Sequence, residues 1–188
     1  ARQPVLLEVN GNKIAFMGCN GKRKYAKATD RTPGAADCDY DFFVKQIEDL
    51  KAQGYMVIFT FQHEECYFAG PCYTHVTGFR KVADAGATVV SGSQAHYPHI
   101  MEFRGDSFVH YGLGNLFFDQ MKYNLPDGTV IDETRREFID RHVFYDGRYL
   151  GVELLTAMLE DYSRPRPMTE AERTAFLSEY FNLSGWIP

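Results

Sequence analysis

No apolar run in these 188 residues approaches the roughly 18 that a membrane-spanning helix needs, so membrane attachment is expected only through an anchor outside this chain. Positive charge is also scarce. Twenty Lys and Arg against 25 Asp and Glu leave a formal net charge of −5, which argues against the broad basic surface of a nucleic-acid binder. Neither a G-x-S-x-G elbow nor a phosphate-cradling P-loop occurs, so serine-hydrolase and P-loop nucleotidase readings lack support. The opening ARQPVLLEVNG lacks the basic start and long apolar stretch of a signal peptide. It reads as a strand entered abruptly, as in a chain cut from a longer one. Only four cysteines are present, none at C-x2-C spacing, so a thiolate zinc knuckle is not expected. Cys19, Cys38, Cys66 and Cys72 admit three pairings if all are oxidised. A small bridged loop between Cys66 and Cys72 is feasible, and free core thiols are the alternative.

What the chain does have is apolar and aromatic mass. Hydrophobic residues make up 45% and aromatics 15%, enough for one domain with a substantial core and aromatic-lined clefts. Two local basic clusters stand out, Lys22, Arg23, Lys24 and Lys27, then Arg135, Arg136, Arg141 and Arg148. The plain reading is solvated surface; the sharper one is contact with an anionic chain.

Val5–Val9 and Lys13–Gly18, joined at Asn10-Gly11, read as a hairpin. A polar surface loop spans roughly Asn20–Asp37. Tyr40, Phe43, Val44, Ile47 and Leu50 recur at helical spacing, which predicts a helix over Asp39–Gln53, capped by Asp39 and stopped by Gly54. The apolar run Tyr55–Phe61 reads as a strand covered on both faces, followed by a helix near Thr74–Ala85 and a short strand at Thr88–Ser91. Such alternation implies parallel strands with right-handed crossovers, whose ligands gather beyond the carboxyl ends of the strands. Two polar loops begin there, Gln62–Glu65 and Gly92–His99. Short strands follow near Ile100–Phe103 and Phe108–Tyr111, hinged at Gly105, then a sharp turn over Gly112–Gln120. A further hairpin, Glu137–Tyr145 and Tyr149–Met158, turns at Asp146-Gly147. A Pro-rich connector leads to a last helix near Thr169–Phe181, opened by a Thr169/Glu172 capping box.

In the first loop, alternation would aim Gln62 and Glu64 one way and His63 and Glu65 the other. His and Glu can serve as metal ligands or as an acid/base pair; the bland reading is a loop satisfying its own backbone. In the second loop, Gln94 and His96 sit two apart, as paired ligands from an extended loop do, and a turn at Gly92 would let backbone amides approach an anion. Ser93 and His99 lie beside them. Asn115, Asp119 and Gln120 fall in the third turn, where Asp119 can orient His96, bind a cation or cap the turn. His75, His110 and His142 sit in helix or strand patterns and read as core or surface.

Taken in order, VIFTFQHEECY, VADAGATVVSGSQAHYPH and HYGLGNLFFDQ resemble the motifs of the bacterial capsule-synthesis family, the CapA-like proteins of poly-gamma-glutamate biosynthesis in the calcineurin-like metallophosphatase superfamily. The likeness covers about Val5 to Gln120, and the tail looks like the C-terminal extension of one branch. It implies an α/β fold, a metallo-dependent phosphatase-like layered sandwich of mixed sheets flanked by helices. Residues 1–160 would form the C-terminal part of that domain, with residues 161–188 a connector and helix packed on it. It implies an extracellular or cell-surface protein that binds an anionic glutamyl polymer or small-molecule substrate, and a divalent metal.

On that alignment Gln62 and Gln94 stand where histidines are usual, with His63 as the match if the first loop slips by one. Glu65 and His96 are then the expected catalytic pair, Gln62, Gln94, Asn115 and Asp119 the substrate-binding residues, and His63, His96 and His99 the metal-ligand candidates. The family's first-half ligands are not in this chain, so an N-terminal half or a partner chain is expected to complete the site. A hydrolytic or transfer reaction on the polymer is one expectation. A phosphoesterase is another, and a third is a non-catalytic binding module that lost metal chemistry, which a neutral Gln oxygen in place of imidazole favours.

Overall fold

A computed structural model describes residues 2–22 and 26–186; Arg23 and Lys24 of the first basic cluster lie outside the described residues. Strands β1 (Val5–Val9) and β2 (Asn12–Asn20) form the expected hairpin. Its turn residues Asn10 and Gly11 take φ of 49° and 78°, the left-handed pair that a two-residue turn matching strand twist demands. Helix α1 (Tyr40–Ala52) starts where Asp39 accepts from Phe42 N and buries Phe43, Ile47 and Leu50. Strand β3 (Met56–Gln62), helix α2 (Tyr73–Asp84) and strand β4 (Val89–Ser93) follow, then the hairpin β5 (Met101–Arg104) and β6 (Ser107–His110).

These strands form one sheet in the order β1-β2-β3-β4-β6-β5. The neighbours from β2 through β3 and β4 to β6 are parallel, with antiparallel edges at both ends. Both helices lie on one face, where Phe43, Ile47, Phe79 and Val82 pack with Ala15, Val57, Phe59, Phe61 and Val90 in a single core.

The other face is covered over part of its width. Residues Tyr123–Asn124 and Val130–Ile131 pair as the small strands β7 and β8, and a 3-10 turn at Glu133–Arg135 leads into β9 (Arg136–Tyr145). That strand forms a three-stranded antiparallel sheet, order β11-β10-β9, with β10 (Arg148–Glu160) and β11 (Arg164–Pro167). Helix α3 (Glu170–Leu183) opens on the Thr169/Glu172 capping box. Its Phe176 and Tyr180 join Phe138, Leu154, Met101 and Phe108 in a second core, and Tyr180 donates its hydroxyl to the Pro98 carbonyl at 2.8 Å. The architecture is α/β, mixed sheets flanked by helices.

Two expectations change, and a third is decided between its alternatives. The Pro-rich segment is no free connector: it forms β11, an edge position where prolines without N–H groups cost no ladder bonds. Gly92 is no turn: it lies inside β4, and a Cβ there would overlap the Tyr111 carbonyl oxygen. Close backbone approach explains that glycine. The cysteines are not free thiols, since Cys19 bonds Cys38 and Cys66 bonds Cys72. The first bond fastens the end of β2 to the approach to α1, and the second closes the loop after β3 against the start of α2.

Candidate functional site

Parallel register brings the carboxyl ends of three strands level. Asn20 of β2 stands beside Gln62 of β3, and Gln62 beside Ser93 of β4. From there a chain of side-chain hydrogen bonds crosses the sheet end. Asn20 Nδ2 donates to Gln62 Oε1 at 3.2 Å, and Gln62 Nε2 to Gln94 Oε1 at 2.8 Å. Gln94 Nε2 lies 3.1 Å from His96 Nε2, and His96 Nδ1 lies 2.8 Å from Asn115 Oδ1. Asn115 Nδ2 donates to Gln120 Oε1 at 3.4 Å, and Gln120 Nε2 to the Tyr67 hydroxyl at 3.1 Å.

Glu65 flanks this chain. Its Oε1 accepts from Lys22 Nζ at 2.6 Å and, at 3.5 Å, from Gln94 Nε2. The Lys22 hydrogen bond holds the half-exposed carboxyl below its ordinary range. The expected alternation along FQHEECY therefore fails: the strand ends at Gln62, and the loop carries Glu65 back to the same side. Backbone strain marks the next loop. Gln94 and His96 both take positive φ, 77° and 58°, at about 1–2 kcal/mol each for non-glycine residues. The hydrogen bonds to Gln62 and Asn115 and the ring of Phe118, stacked on His96 at 4.5 Å, hold them there.

The candidates thus divide. Gln62, Glu65, Gln94, His96 and Asn115 converge. Asp119 is exposed, and the group that orients His96 is Asn115, 4% exposed. His63 and His99 face the interior. The His63 ring lies 4.5 Å from that of His75, and burial lowers its pKa. His99 Nε2 donates to the Cys66 carbonyl at 3.0 Å, and burial drives its pKa down to about 4. His75 and His110 are buried core residues, with His110 Nδ1 2.7 Å from Asp140, and His142 is half-buried, its Nδ1 3.1 Å from the Tyr149 hydroxyl.

His63, His96 and His99 consequently do not form a metal centre, and among the described residues no group of three or more His, Cys, Asp or Glu is placed to hold an ion. The converging set does not fit one either. Gln62 Oε1, Gln94 Oε1 and His96 Nε2, the atoms a cation would need, are already engaged by amide N–H groups. A neutral amide oxygen is in any case a poor substitute for imidazole toward transition metals.

The basic series is mostly engaged within the fold. Lys27 pairs with Asp37 at 2.7 Å, Arg135 donates to the Leu159 carbonyl, Arg136 pairs with Glu179 and Arg141 with Glu153. Arg148 lines a separate cavity of about 920 Å³ at the opposite, amino end of the strands. Sequence reasoning missed Asn20 and Tyr67. The signal for Asn20 was available: a polar residue ends β2 as Gln62 ends β3. Tyr67, stacked on Tyr123 at 3.8 Å, has no local signature.

Residues 1–120 match the family model described as bacterial capsule synthesis protein PGA_cap. The PGA biosynthesis protein CapA of Bacillus subtilis is 32% identical over 131 residues, 66% of this chain and 33% of that protein. The capsule biosynthesis protein CapA of Bacillus anthracis is 26% identical over 141 residues, 71% of this chain and 34% of the relative. The chain therefore spans about a third of the length of these curated relatives. Among solved structures, the NAD nucleotidase NadN of Haemophilus influenzae aligns over 94% of this chain and 32% of its own, at 15% identity and a TM-score of 0.43. A 5'-nucleotidase precursor from Thermus thermophilus aligns over 95% and 33%, at 13% identity and 0.41. With the family motifs in order along the strand ends and the family model matching well over half its length, this chain belongs to the bacterial capsule synthesis (CapA-like, PGA_cap) family.

Proposed function

We propose that this chain contributes the polymer-contacting cleft of a capsule-synthesis protein, binding an anionic glutamyl chain through amide, histidine and lysine side chains rather than through a metal of its own. The observation that carries this reading is the direct Gln62–Gln94 hydrogen bond, at 2.8 Å, between residues that the family resemblance sets where histidines are usual. Poly-gamma-glutamate repeats an amide and a carboxylate. The cleft offers amides for the one and Lys22 for the other, with Phe118 as an apolar wall. The two disulfides favour an oxidising compartment, which supports placing the chain outside the cytoplasm. The names of the Bacillus relatives support the capsule context.

Equilibrium binding of poly-gamma-glutamate, paired with metal analysis of the purified protein, tests this. The expected result is saturable binding that survives chelation and weakens with salt as the Lys22 contribution is screened. Stoichiometric metal lost on His96→Ala, or polymer binding abolished by chelator, would overturn it.

A further inference from the structure

The hydrogen-bond chain has a direction, and both of its ends are fixed by the backbone. At the buried end, Asn115 Nδ2 faces the carbonyls of Thr134 at 3.0 Å and of His96 at 3.3 Å. That nitrogen must therefore be the donor and Oδ1 the acceptor, since a reversed amide would set oxygen against oxygen. Oδ1 then requires Nδ1 of His96 to carry the proton, which leaves Nε2 as a lone pair and obliges Gln94 to present its nitrogen there. Gln94 Oε1 in turn accepts from Gln62, and Gln62 Oε1 accepts from Asn20. At the exposed end the same answer arises independently. The backbone N–H of Lys22 donates to Asn20 Oδ1 at 2.8 Å, so Asn20 Nδ2 must be the group aimed at Gln62. The two anchors agree, so every amide in the series is ordered the same way, and reversing any one of them costs a hydrogen bond at each side.

This order decides what the cleft can receive. Each amide oxygen of the series already accepts one hydrogen bond, and the single lone pair of His96 Nε2 is filled by Gln94. Asn20 Nδ2 and Gln62 Nε2 each carry a second N–H beyond the one given along the series, and both residues line a cavity of about 380 Å³ with Gly18, Thr60 and Ser93. Lys22 Nζ likewise has N–H groups beyond the one given to Glu65. Two free amide N–H groups at the cavity, with the Lys22 ammonium held on Glu65 two residues beyond Asn20, suit a ligand that only accepts. We infer that the Asn20–Gln62 end of the cleft is a carboxylate seat whose donor character is fixed from two sides, by the Lys22 backbone N–H on Asn20 and by Asn115, a positioning residue that acts through the Nδ1–H form of His96. This rests on the polymer-binding reading for its natural ligand, though the seat itself does not.

Long-range proton–nitrogen NMR on the unmodified protein at neutral pH reads the tautomer directly: the Nδ1–H form is expected, and an Nε2–H majority overturns the inference without any variant. Titration with glutarate, a free dicarboxylate, should move the side-chain amide signals of Gln62 and Asn20. Gln62→Met, at an exposed position, should weaken glutarate by about tenfold while leaving the fold intact, the loss of roughly one hydrogen bond to a charged group. Asn115→Leu, which removes the acceptor at Nδ1, should bring Nε2–H signal into His96 and weaken glutarate. Unchanged glutarate affinity in Gln62→Met, or equal affinity for glutaramide, overturns the seat. If glutarate binds as described and poly-gamma-glutamate does not, the seat stands and the polymer reading falls.

Discussion

At the residue scale, buried titratable groups set opposite limits on stability. His75 and His99 are buried, and burial holds both near pKa 4, His75 also through its neighbouring histidines. Because the folded pKa lies below the ordinary 6.5, the unfolded chain binds more protons between these values. Stability is complete above about pH 6.5 and is lost toward pH 4, by about 3 kcal/mol per histidine at the limit. Glu137 works the other way. It is 1% exposed with neither carboxylate oxygen partnered, and burial raises its pKa to about 8. Its neutral form is tolerated below pH 4.5, and stability is lost as pH rises toward 8. Two histidines outweigh one glutamate on the acid side, so the unfolding temperature should peak near pH 6.5. Glu137→Gln should flatten the alkaline limb and steepen the acid limb between pH 4.5 and 6.5, where the glutamate opposes the histidines; an unchanged alkaline limb in calorimetry would contradict this. Gly92→Ala should cost about 2–3 kcal/mol or prevent folding, because the new methyl meets a backbone carbonyl that cannot move aside; the urea midpoint measures it.

At the scale of elements, each disulfide fastens a site-bearing loop. Closing a loop of sequence separation 19 from Cys19 to Cys38 restricts the unfolded chain by about 3 kcal/mol, and closing one of separation 6 from Cys66 to Cys72 by about 2. Replacing each pair by serine should lower stability in that order under chemical denaturation. The Cys66–Cys72 variant should also loosen the Glu65 and Tyr67 ends of the site, read as faster amide exchange in residues 63–72 with slow exchange kept in β3. The helices and hairpins were legible because their signals are local. Asp39 caps a periodic face, and Asn10-Gly11 and Asp146-Gly147 accept positive φ. Strand β11 was not legible, because a Pro-rich edge strand owes its pairing to β10 rather than to its own sequence.

For the whole molecule, the large sheet is covered unevenly. Antiparallel pairing puts Val5 with Phe16 and Leu7 with Ile14 on the face away from α1 and α2. Val5, Leu7, Val9 and Phe16 are 60, 44, 51 and 38% exposed. Central α/β sheets are normally buried on both faces, and an apolar edge strand of this kind invites association. The chain produced alone should self-associate at high concentration, and Leu7→Lys with Phe16→Lys should return it to monomer in light scattering. Unchanged association would place the contact elsewhere.

The sequence by itself determined the alternation of strands and helices, the family, and the neighbourhood of the site, because periodicity, turn residues and motif order are written along the chain. Tertiary structure alone decided which residues meet. Parallel register set Asn20, Gln62 and Ser93 level, the strained loop turned His96 toward Asn115, and burial took His63 and His99 into the core. Those outcomes depend on contacts between residues tens of positions apart, whose hydrogen-bonding partners no local pattern specifies.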